Sequence, residues 1–135
     1  MRWSFVLAAG LMALTGCATS PPTDPIAAPA DRVFLAPVPA PSGQVTVIRD
    51  TGFVASGVYM HIWIDGVKAA SLNPGEMATF QLSLGEHQIG AIPTNIGDRK
   101  MLTQEFILKE GRPELYRVGV DGNLNVVLNR EMRRP

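Results

Sequence analysis

The chain has 135 residues with 12 basic and 12 acidic side chains, a zero balance that gives no reason to expect nucleic acid or general attraction to anionic surfaces. A hydrophobic content of 46% is ordinary for a globular chain, and the length suits one domain. One cysteine, Cys17, excludes an intramolecular disulfide.

The first segment reads as a targeting signal. Arg2 supplies a positive n-region, and Phe5 to Leu14 is an apolar run followed by small residues. That run is too short to span a bilayer. It ends in Leu14-Thr15-Gly16-Cys17, which resembles the bacterial lipobox. The resemblance implies a diacylglyceryl thioether on Cys17, cleavage after Gly16 and acylation of the new amino group with a fatty acid such as palmitate. Removal of the 16 leader residues from 135 leaves 119, anchored but not spanning. Ala18 in place of aspartate points toward the outer membrane, periplasmic face, over the inner membrane.

Residues 17–42 read as the lipidated cysteine and a Pro/Ala-rich tether. Seven of the 11 prolines lie there (Pro21, Pro22, Pro25, Pro29, Pro37, Pro39 and Pro41), a density that excludes a helix or a central strand. Fully drawn out, such a segment reaches ~75 Å. The apolar patch Arg32-Val33-Phe34-Leu35 interrupts it and is expected to dock on the domain as an edge strand, with partner binding as the alternative.

The globular part is expected over 43–130, with a polar tail at 131–135. Gln44 to Arg49 reads as a strand. In Val58 to Ile64, Val58, Met60, Ile62 and Ile64 share one face, and Tyr59, His61 and Trp63 the other. Both faces are apolar or aromatic, so this strand is expected to be central. Asp65-Gly66 marks a type I′ hairpin to Val67–Leu72. Asn73-Pro74-Gly75 fits a type II turn to Met77–Leu82, making a three-strand meander. His87 to Ile92 follows. Met101 to Leu108 reads as a strand, the alternative being a helix capped by Asp98 and ended by Gly111. Leu115 to Val120 and Leu124 to Leu128 flank a second Asp-Gly, Asp121-Gly122.

Seven or eight short strands at near-regular spacing predict an all-β fold, an antiparallel β-sandwich of the immunoglobulin or transthyretin type. Strand–helix alternation and long repeats are absent. The run Val58 to Lys68, then Leu72, a Gly turn, Phe80, Leu82 and Gly85-Glu86-His87, resembles small bacterial lipoproteins that carry a domain of unknown function in the style of PEGA-type surface β domains. Gly111 and Tyr116 extend the likeness. The chain departs from that pattern at Leu84, where proline is usual, and at Ile48-Arg49-Asp50, where an aromatic-Arg-Pro end is usual. The resemblance implies a lipid-anchored sandwich and supplies no catalytic residue.

Candidate chemistry is sparse. His61 and His87 would approach each other if their strands pair, and with Asp65 or Glu86 they form the one metal candidate; no third ligand has diagnostic spacing. Ser71 and Ser83 lie in no nucleophile elbow, Asp65 and Asp121 are turn residues, and no glycine loop cradles phosphate. No cofactor is expected. Tyr59, His61 and Trp63 make an aromatic strip, expected to be core between two sheets or, failing that, a surface for a small ligand or glycan. Arg130, Arg133 and Arg134 form a basic end suited to anionic lipid, and more simply a solvated tail. The expectation is therefore an envelope lipoprotein that is not an enzyme. Its partners would be the bilayer, through acylated Cys17, and another envelope protein.

Overall fold

Period-two alternation shapes the domain. In β2 (Ser42–Arg49) and β3 (Met60–Ile64) every second residue is buried, as in strands with one face on a core. The computed structural model describes residues 20–94 and 100–132. The other strands are β1 (Ile26–Ala27), β4 (Val67–Leu72), β5 (Glu76–Ser83), β6 (Gly85–Pro93), β7 (Leu102–Leu108), β8 (Glu114–Val120) and β9 (Val126–Glu131). They form two sheets of a β-sandwich, ordered β1-β5-β2-β8-β9 and β4-β3-β6-β7. Neighbours are antiparallel except β1 with β5 and β2 with β8, which run parallel. Val45, Val47, Met60, Ile62, Leu72, Ile89, Tyr116 and Val118 are fully buried between the sheets.

The 101–108 segment is the strand and not the helix: β7 pairs with β6 from Leu102 to Leu108. The expected β3–β4–β5 meander is corrected. β3 and β4 pair as a hairpin, with Asp65 at φ 49° and Gly66 at φ 77°, as a type I′ turn requires. After Pro74 and Gly75 (φ 80°), however, β5 crosses to the other sheet and pairs with β2. A turn encodes reversal of the chain; it does not choose which edge the reversed strand joins. The second Asp-Gly is also not a two-residue hairpin. The Asp121 carboxylate accepts from the Asn123 and Asn125 amides, and Leu124, at φ 63°, belongs to the turn rather than to the inward face of β9. At the C-terminus β9 runs through Glu131, one residue into the expected tail. Arg130 binds Glu114 and Glu131 binds Arg117, so these charged residues extend the ladder.

The proline-rich segment is extended as its prolines dictate, but over Ser20 to Pro41 it is not a free spacer. Ser20 and Thr51 exchange backbone hydrogen bonds of 2.9 Å. Ile26–Ala27 pair with Glu76–Met77 at the edge of β5. A 3-10 turn at Ala30–Arg32 leads to Val33 and Phe34, which bridge β4 at Ala70 and Ala69, and the Val38 amide donates to Gln81. The Arg32 patch therefore docks on the edge of β4, but through one isolated bridge and the Phe34 amide rather than as an edge strand. Arg32 makes two 2.6 Å bonds to the Glu76 carboxylate and one of 2.8 Å to the Ser71 carbonyl. Unpaired edges attract other chains, and this strap closes the β4 and β5 edges on one side.

Strand directions define two ends. Ser20, the 50–59 loop, the Pro74 turn and the 121–125 turn share one, the near end. The Asp65 turn, Gly85, the 109–113 turn and Glu131 share the other, the far end.

Candidate functional site

A groove of about 440 Å³ opens at the far end and is lined by Asp65, Glu86, His87, Gln88 and Glu105 to Ile107. β6 and β7 build it by register, Gln88 opposite Glu105 and Glu86 opposite Ile107. His87 faces inward, stacked on Phe106 with ring centroids 5.6 Å apart; Phe106 in turn contacts Tyr116. The His87 Nδ1 meets the Asp65 carboxylate at 2.6 Å and Nε2 meets the Ser83 carbonyl at 2.6 Å. Both partners are acceptors, so the two bonds form together only when the ring carries both protons. Burial alone would lower its pKa; the hydrogen bonds to Asp65 and Ser83 and the Asp65 charge outweigh burial and raise it. With both nitrogens committed, His87 holds the Asp65 turn against β6 and has no free lone pair for proton abstraction.

A testable pH dependence follows. The folded pKa of His87 stands above its ordinary value of 6.5, so the folded state binds this proton more tightly than the unfolded chain. The contribution is complete below 6.5 and is lost as pH rises through the raised value. Urea stability should therefore fall over that interval in the wild type, with a smaller slope in His87→Gln; equal slopes in the two proteins would refute the ion pair.

β3 and β6 do pair, yet His61 and His87 are not brought together. His61 lies opposite Ile92, on the outer face, whereas His87 is on the inner face of β6. His61 bonds Ser71 Oγ at 2.8 Å and Thr94 Oγ1 at 2.6 Å, and burial, with the Lys68 charge, lowers its pKa. Among the described residues no group of three or more His, Cys, Asp or Glu is placed to hold a metal.

The aromatic strip is corrected as well: it lies on the outer face of the four-stranded sheet and not between the sheets. The partners of that face decide this, since Met60, Ile62 and Ile64 turn inward. Tyr59 is 41% exposed, with the Arg32 guanidinium 5.1 Å from its ring centroid. Trp63 is half-buried opposite Gly90, where a Cβ would come 2.5 Å from Met101 Sδ; its Nε1 is buried without a partner. Arg32 of the strap thus lies against one end of the strip, at Tyr59, and Met101 lies against Gly90 opposite the other, Trp63.

A second groove, about 390 Å³, separates β7 from β9 and is lined by Glu105 to Ile107, Lys109, Arg112, Glu114 and Arg130. Arg130 is a bidentate partner of Glu114, not part of a solvated tail. Cys17, Arg133 and Arg134 lie outside the described residues. Asp121 serves its turn, Ser71 binds His61, and the Ser83 carbonyl binds His87.

Sequence reasoning missed Arg49. It sits on the inward side of β2, 2% exposed, and donates to the carbonyls of Val58, Leu72 and Ala55 at 2.5–2.6 Å. Burial pushes its pKa down to about 10, so it remains a cation at neutral pH. No protein-family model matches the chain, and no curated protein is significantly similar to it.

Proposed function

We propose that this protein is a lipid-anchored envelope lipoprotein, held at the outer membrane through Cys17, whose sandwich is a non-catalytic interaction module that offers its free edge to another envelope protein. The lipobox-like Leu14-Thr15-Gly16-Cys17 after a short apolar run supports the anchor. Among the described residues no helix is long and apolar enough to cross a membrane.

One observation carries the interaction reading: the two sides of the sandwich are unequal. The strap closes the β4 and β5 edges. β7 and β9 end their sheets on the other side, and among the described residues no further strand lies beside them. Five of the seven residues of β7 are exposed, Leu102 and Ile107 among them. An extended segment of a partner adds to such an edge by main-chain hydrogen bonds, with alternate side chains giving specificity. The grooves on either side of Glu105–Ile107 would receive those side chains.

A photoreactive residue at Thr103 or Ile107 is expected to crosslink to one defined envelope protein in intact cells, and one at Thr79, on the outer face of the other sheet, to none. The product should disappear in Leu102→Lys. Crosslinks that are equal at Thr79 and Thr103 would sink the edge reading.

A further inference from the structure

We infer that the near end of the sandwich lies directly on the lipid bilayer, with Phe53 inserted in the interface beside the acylated cysteine. The inference rests on the lipid reading of Cys17 and adds to it an orientation and a contact surface.

Chain length is the first argument. The strap is bonded to the domain from Ser20 onward: its amide and carbonyl exchange hydrogen bonds with Thr51, and its hydroxyl lies 3.1 Å from Thr51 Oγ1. Cys17 is three Cα steps earlier, which span at most ~11 Å. A wholly free segment would have allowed ~75 Å. An anchor so near Thr51 leaves no room for the sandwich to stand off, and it is the near end that is held down.

The second argument is what that end presents. Phe53, two residues from Thr51, is 94% exposed. Leu124, 43% exposed, stands at the tip of the 121–125 turn. Ile26, 70% exposed, borders the shallow depression formed with Ser20, Thr51, Pro74 and Gly75. Isolated exposed apolar residues are normal. Here three lie at the end to which the anchor is tied. The far end also exposes apolar side chains, Val67, Leu84 and Ile107, but there they stand among the carboxylates of Asp65, Glu86 and Glu105 around its groove, which disfavour contact with a bilayer.

Phe53 is also held in place. The Arg49 guanidinium binds the carbonyls of Ala55 and Val58, and Ser56 and Val58 close turns onto Phe53 and Ala55. The loop is thus preorganised, and no folding of the loop is needed when the ring enters an interface where apolar groups sit ~5–10 Å deep. Both far-end grooves are left facing away from the membrane, and the β7 edge runs along the side of the domain from Leu102 near the bilayer to Leu108 at the far end.

The test uses the lipidated full chain. Once Cys17 is blocked as a thioether, an introduced cysteine is the one free thiol. Phe53→Cys, Leu124→Cys and the far-end control Val67→Cys (Val67 is 55% exposed) would be labelled with an environment-sensitive fluorophore and reconstituted into phosphatidylcholine vesicles containing a doxyl-labelled lipid. Labels at 53 and 124 are expected to blue-shift and to be quenched, while the label at 67 keeps its emission in water. Protein that floats with the vesicles but is quenched no more at 53 than at 67 overturns this inference and leaves the lipid reading standing. Protein that does not float overturns both.

Discussion

Arg49→Met is expected to lower the unfolding free energy of the domain by about 3–5 kcal/mol, seen as a large drop in urea midpoint at unchanged slope. Arg49 as a whole is 2% exposed, and three backbone carbonyls depend on its guanidinium, those of Ala55, Val58 and Leu72. Methionine fills much of the volume but donates nothing. Each acceptor left unsatisfied in the interior costs about 1–3 kcal/mol, partly offset because the buried charge is removed too. Against a typical total of about 5–15 kcal/mol, this is a large fraction. Arg49→Lys should recover only part of the loss, since an ammonium lacks the planar fork that spans the 50–59 loop and the end of β4. A midpoint shift worth less than about 1 kcal/mol in the methionine variant would show that the carbonyls are satisfied without Arg49.

The other large effect concerns Cys17, where the expected outcome is loss of attachment rather than of stability. Multiple acyl chains, each buried methylene contributing about 0.8 kcal/mol, hold a protein stably where one chain is marginal. Wild-type protein should incorporate labelled palmitate and partition into the detergent phase. Cys17→Ser should take no label and accumulate as the uncleaved precursor, or become soluble if another peptidase cuts it. Palmitate labelling that survives the substitution, or a wild-type protein confined to the soluble periplasmic fraction, would overturn the anchor.

Much of the fold was legible because it is written in local chemistry. The Asp65-Gly66 hairpin needs positive φ at two successive residues, and few sequences other than Asp-Gly supply it. Alternation turns Ala78, Phe80 and Leu82 inward and puts Tyr116, Val118 and Val120 on one face of their strand, and all six are buried. The eight strands expected after Gly43 are matched to within two or three residues, the largest shift being the end of β9, at Glu131 instead of Leu128.

Of the candidate site, the residues were visible but not their relations. His87 and Asp65 were both noted, as a ligand and as a turn residue; that one clamps the other depends on the register between β6 and β3. Arg49 was read only as the end of a strand, because nothing local distinguishes an arginine that will be buried from one that will be solvated. Its three acceptors come from positions 6, 9 and 23 residues away.

By itself, then, the sequence determined where strands begin and reverse, which faces are apolar, and the Leu14-Thr15-Gly16-Cys17 motif, because dihedral preference, side-chain period and short motifs act over a few residues. The tertiary structure alone decided that β5 leaves β4 for β2, that β2 and β8 run parallel, that the aromatic strip faces outward, and that the proline-rich segment straps the β4 and β5 edges while β7 and β9 stay open. Those choices are made by competition among edges and faces far apart in the chain, where a strand of given polarity pairs equally well with several partners until the packing of both sheets selects one.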